Sequence, residues 1–208
     1  MKPWRQSANF LRTGSRRIKT KLSLPLLFFF YTAFLYSQEA DIKLEMVDNL
    51  LHASLYLRDF PSEKIITALK DGFRSEISFH IKVYRKVRGM LSLFGDRLVL
   101  EEHPAHEARL DIVNGQFVID SSFGDTMSFN NENSFLNAFF SLENYRLKGE
   151  PLKECLKDYK NCYVLGNIRV QTVKLIPPLT ILSFFLPSNT EGTPWKHVDL
   201  PDRVEERK

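Results

Sequence analysis

The chain has 208 residues, 43% of them hydrophobic and 26% charged, which suffices for one core and about one domain. Its formal charge of +4 is a property of the N-terminus, because seven of the 29 basic residues precede residue 22. Without them 22 basic residues face 25 acidic ones, so the body carries −3 and lacks the positive footprint that a nucleic-acid partner requires.

The first predicted element is a secretory signal. Lys2, Arg5, Arg12, Arg16, Arg17, Lys19 and Lys21 lie in a stretch without acidic residues, and the apolar run Leu22–Tyr36 follows them. Fifteen helical residues reach only about 22 Å, short of a hydrocarbon core of about 30 Å, and Pro25 and Thr32 weaken the run further. Cleavage after Ser37 is therefore preferred over retention of residues 22–36 as an inner-membrane anchor, although Leu35 is bulkier than a signal cleavage site favours. Ser15-Arg16-Arg17 looks like part of a twin-arginine signal, but Lys19 and Thr20 stand where that signal has apolar residues. No cysteine lies near the end of the run to carry a lipid. The expected organisation is a signal segment over 1–37, a single β-rich domain over 38–198 and a disordered charged tail over 199–208. The expected location is the periplasm or the cell exterior.

The domain reads mostly as strands. Ile42, Leu44 and Met46 alternate with polar neighbours, as do Leu51, Ala53, Leu55 and Leu57, and then Ile77, Phe79, Ile81 and Val83 within a strand over Ile77–Val87. Shorter strands are predicted over Arg97–Glu102, Glu107–Val113, Gln116–Ser121 and Tyr163–Leu175. Asn114-Gly115 predicts a two-residue hairpin that pairs Ile112 with Phe117. Two helices interrupt the strands. One runs from Ser62 to Asp71, buries Ile65, Ile66 and Leu69, and ends at Gly72. The other spans Glu132–Leu142 with Phe135, Leu136, Phe139, Phe140 and Leu142 on one face, capped by Asn130 or Asn131. The expected fold class is α+β, mostly β: an antiparallel sheet, sandwich or partial barrel with about two helices. The 17 phenylalanines suit a thick aromatic core or, alternatively, an apolar ligand cavity.

Candidate sites are few. Cys155 and Cys162 are too far apart for a Cys-x-x-Cys redox or metal pair and are expected to form a structural disulfide after export. Closing so short a loop would stabilise by roughly 2.5 kcal/mol. Pro177–Pro187 is either a buried strand between prolines or an exposed segment whose Leu182, Phe184, Phe185 and Leu186 contact a partner or membrane. His103 and His106, flanked by Glu101, Glu102 and Glu107, are the densest set of ligand-type residues, but Pro104 reads as a solvated turn, so no metal is assigned. Lys82, Arg85, Lys86 and Arg88 read as a solvated face able to meet lipid head groups. Nucleophile-elbow, zinc-helix, phosphate-loop and dinucleotide motifs are absent, and no cofactor or catalytic residue is assigned.

Ala68-Leu-Lys-Asp-Gly72, followed by the alternating strand Ile77–Val83 and by Arg85 or Arg88, resembles a family of exported, uncharacterised proteins of diderm bacteria known as a domain of unknown function. The likeness runs from Leu50 to about Tyr145. The tryptophan that often follows the arginine in those proteins has no counterpart here. The resemblance implies export and assigns neither activity nor site residue. The resulting expectation is a non-catalytic envelope protein that binds a partner protein or envelope component or supports envelope assembly. A carrier of an apolar ligand or lipid in a Phe-rich cavity is the alternative. The sequence does not specify an oligomeric state.

Overall fold

The computed structural model describes residues 38–174 and 190–201. The signal segment, the Pro177–Pro187 segment and residues 202–208 of the tail lie outside the described residues.

Apolar–polar alternation builds two antiparallel sheets. β1 (Glu39–Val47) and β2 (Leu50–Arg58) form a hairpin around Asp48-Asn49, both at positive φ (51° and 60°), a backbone shape that matches the twist of the flanking strands. β2 pairs on its other edge with β8 (Ser141–Arg146), giving a three-stranded sheet. The larger sheet is built on β3 (Arg74–Arg85) and β9 (Cys162–Lys174). It continues from β3 through β5 (Ala105–Asp111) and β6 (Gln116–Ser121) to β7 (Thr126–Phe129). β4 (Arg97–Glu102) adds to β3, while β10 (Thr190–Gly192) and β11 (Lys196–Asp199) add to β9. The protein is mostly β, with sheets of three and eight strands that form a sandwich-like pair and do not close into a barrel.

The strand pattern was readable wherever one face is buried. Ile77, Phe79, Ile81 and Val83 are almost wholly buried and pair across the sheet with Val170, Ile168, Gly166 and Val164. The small sheet contributes Ile42, Leu51, Ala53 and Leu55 to the same core. Helix α1 (Ser62–Lys70) adds Ile65, Ile66 and Leu69, and Gly72 beyond it has φ 84°. Helix α2 (Glu132–Phe139) brings Phe135 and Phe139 into a ring stack with Phe117, at 4.8 and 5.6 Å between successive ring centroids. Asn131 caps α2 by accepting from the backbone N–H groups of Asn133 and Ser134.

Several boundaries differ from the sequence reading. α2 ends at Phe139 rather than Leu142, because Ser141 Oγ donates to the carbonyls of Asn137 and Ala138 and Leu142 turns into β8. The loop between β5 and β6 is longer than Asn114-Gly115 alone. Asp111 pairs with Gln116, and its side chain accepts from the N–H groups of Val113 and Asn114, so Phe117 pairs with Leu110 and Ile112 is exposed. Pro104 is not a turn. β4 and β5 lie along β3 in one register, and Pro104 accepts from the Phe79 N–H at 2.8 Å but has no N–H to return the bond, which interrupts the strand without reversing it. Helix α3 (Glu150–Lys157), β7, β8, β10 and β11 were not predicted. Asp199, assigned to the tail, is the last residue of β11, and Leu200 packs into the core.

The two sheets meet closely at Gly166. A Cβ placed there would lie 2.3 Å from Ile42 Cδ1 and 3.5 Å from Leu55 Cδ2. Gly166→Ala is expected to cost about 1–3 kcal/mol of unfolding free energy in urea titrations, as overpacking of a filled core does. Adding Ile42→Val, which removes the offending methyl, should recover part of that loss.

Candidate functional site

Cys155, buried on α3, and Cys162, buried at the start of β9, form a disulfide with Cα atoms 5.8 Å apart. It holds α3 beside the end of β3, where Arg85 forms ion pairs with Glu154 at 3.3 Å and Asp158 at 3.7 Å. The contact residues proposed from sequence, Leu182, Phe184, Phe185 and Leu186, lie outside the described residues.

The basic cluster is not a free positive face. Lys82 pairs with Glu101 at 3.0 Å and Lys86 with Asp199 at 3.4 Å, while Arg88 donates to Asn161 Oδ1 at 2.6 Å. Each cation thus already has a partner within the domain.

Strand alternation separates the histidines that sequence proximity placed together. His103 lies on the outer face of the large sheet, 3.3 Å from Glu101 and 4.6 Å between ring centroids from His80. His106 faces inward, 3% exposed, against Phe79 and Phe123. The carboxylates divide likewise. Glu102 accepts from the Tyr145 hydroxyl at 2.6 Å, and with burial this pushes the phenol pKa up to about 12. Glu107 accepts from Arg74 and Lys174, both at 2.6 Å; burial opposes its ionisation, but the two cations outweigh burial and hold its pKa below the usual range. No metal-binding group of three such residues occurs among the described residues.

His106 instead lines a cleft of about 420 Å³ in the gap that the small sheet leaves over β5–β7. Phe123, Met127, Ala138 and Leu142 give it an apolar surface, and Ser134, Asn137 and Ser141 line it from α2 and the turn into β8. Asp125 and Glu143 are exposed at its rim. The expected Phe-rich enclosure is realised differently: Phe117, Phe135 and Phe139 fill the core beneath α2, and Phe123 alone among these phenylalanines lines the cleft. A larger groove of about 610 Å³ lies beside α1, but Lys64 and Glu191 across it are ion-paired at 2.6 Å and its lining borders the ends of the undescribed stretch 175–189.

The smaller cleft is set apart by the buried imidazole in its wall. Neither ring nitrogen of His106 has a hydrogen bond of good geometry within the protein, although the Phe139 backbone carbonyl lies near enough to act on the ring, and Ser121 Oγ on the paired residue of β6 has none either. Such groups are costly to bury, and the great majority are satisfied. Burial lowers the His106 pKa from the usual 6.5 and outweighs the opposing pull of the Phe139 backbone, so the ring is neutral at pH 7 and offers one donor and one acceptor. His106 and Ser121 are cross-strand neighbours but share no hydrogen bond. Sequence reading singled out His106 as a ligand-type residue; its inward direction follows from its parity with Ala108 on β5. The rest of the cleft comes from elements distant in sequence.

Comparison with protein-family models, curated proteins and solved structures gives no match for this chain.

Because the folded state holds the His106 proton affinity below that of a free imidazole, the unfolded chain takes up its proton first as pH falls. His80, whose pKa is lowered by burial and then by the neighbouring His103, Arg169 and Lys82, acts in the same sense. Stability should therefore be full above about pH 6.5 and fall below it. Urea unfolding between pH 7.5 and pH 5 should show that decline, and His106→Gln should flatten it.

Proposed function

We propose that this protein is a non-catalytic binding protein of the bacterial envelope, and that the cleft beside His106 holds a small, largely apolar molecule with one polar end. The observation that carries this reading is the buried imidazole at the wall of an apolar cleft, with no well-formed hydrogen bond to the protein beyond the nearby Phe139 carbonyl. A cavity of a few hundred Å³ with mostly apolar walls and a few convergent polar groups is the usual form of a small-molecule site. A ligand hydroxyl, amide or amine would pair with His106 and offset the cost of burying it unpaired.

The envelope assignment is supported by two features. One is the order of basic stretch, apolar run and polar boundary over residues 1–37. The other is the Cys155–Cys162 disulfide, a bond that persists in oxidising compartments. No helix among the described residues is long and apolar enough to cross a membrane. The reading favours the carrier alternative over recognition of a protein partner.

Replacing His106 by Phe separates a binding role from a packing role. If the imidazole is kept for a ligand, the variant should be as stable as the parent or more stable by about 1 kcal/mol, since an unpaired polar group is removed from the core. The same variant should lose affinity for a neutral probe, 4-phenylbutanol, in calorimetric titrations. A variant that is strongly destabilised and binds the probe unchanged would contradict the proposal.

A further inference from the structure

The composition of the cleft's rim goes further than a generic apolar site. Asp125, after the turn that follows β6, and Glu143, on β8, stand at the cleft opening, and neither forms an ion pair. No lysine or arginine lines the cleft. Elsewhere on this domain Asp41, Glu76, Glu101, Glu107, Glu132, Glu154 and Glu191 have cationic partners, while Glu45, Asp48, Asp59, Glu63 and Asp71 also have none among the described residues; what sets Asp125 and Glu143 apart is their place at the mouth of a cleft. The cleft is thus lined by two carboxylates and one buried imidazole that lacks a well-formed hydrogen bond, with no lysine or arginine among its lining residues.

Resting on the ligand-binding reading, we infer that the molecule bound in this cleft carries a cationic amine, with Asp125 and Glu143 facing its positive charge, His106 accepting a hydrogen bond, and Phe123 and Leu142 covering its apolar body. An anionic ligand, including a fatty acid or an acidic phospholipid head group, is disfavoured there, because its charge would meet two carboxylates with no cation to compensate. The site therefore differs from an ordinary lipid carrier's in the sign of the head group it accepts.

Three probes with one apolar body test this: 4-phenylbutylamine, 4-phenylbutanol and 4-phenylbutyrate, titrated calorimetrically into the purified protein at pH 7.5 and low salt. The amine should bind about tenfold tighter than the alcohol, as two nearby carboxylates in water-like screening would give, and the acid should bind most weakly. The amine's advantage should shrink at high salt. In the double variant Asp125→Asn, Glu143→Gln, both at exposed positions, the amine should lose its advantage over the alcohol. If the alcohol binds in a His106-dependent way but the acid binds as well as the amine, the charge inference is overturned and the cleft remains a binding site. If none of the three binds, the ligand-binding reading falls and this inference with it.

Discussion

β3 and β9 run antiparallel from Arg74 beside Lys174 to Arg85 beside Cys162, and nearly every other part of the domain is placed by that pairing. Their inward residues, Ile77 to Val83 and Val164 to Val170, form the floor of the core. β4 and β5 share one edge of β3, and β10 and β11 share one edge of β9. At the centre of the floor Gly166 has no side chain, so Ile42 of the small sheet can descend onto the backbone. A sheet with one face so uniformly apolar must be covered, and the small sheet, α1 and α2 cover it. They do not cover it completely, and the cleft lies in the gap between α2, β8 and the far strands.

This arrangement explains which features were legible in the sequence. Strands with one buried face announce themselves by period-two alternation, so β1, β2 and β3 could be read from Ile42, Leu51 and Ile77 onward. α1 was legible from Ile65, Ile66 and Leu69 together with Gly72. β8 was not, because Ser141–Arg146 has one fully buried residue, Leu142, and its place is set by pairing with β2 rather than by its own pattern. β10 and β11 are three and four residues long and depend on β9 in the same way. The loop after β5 was misjudged because the Asp111 side chain, not Asn114-Gly115, fixes where pairing stops. The cleft was the least legible part. His106 stood out by residue type, but its neighbours come from β6, β7, α2 and β8, and only tertiary packing brings them together.

His106 is also where local and global preferences disagree. On an inward position of β5, between Pro104 and Ala108, an apolar residue would satisfy both the strand pattern and the core. An imidazole without a well-formed hydrogen bond to protein gives up stability there, and sites that break a packing rule without compensation tend to be functional ones. Ser121 opposite it repeats the exception. The outer face of the same sheet offers a contrast. There His80, His103 and Trp195 pack against one another, and Lys82 lies 5.2 Å from the Trp195 ring centroid, so those polar and aromatic groups find partners within the domain.

The measurement closest to the central claim is the nitrogen-15 spectrum of the five imidazole rings during titration with 4-phenylbutanol. The account predicts that the His106 ring nitrogens shift as one of them gains a partner, while His52, His80, His103 and His197 stay in place. A saturable response at the other histidines with His106 unmoved, or no saturable response at any of them, would contradict it.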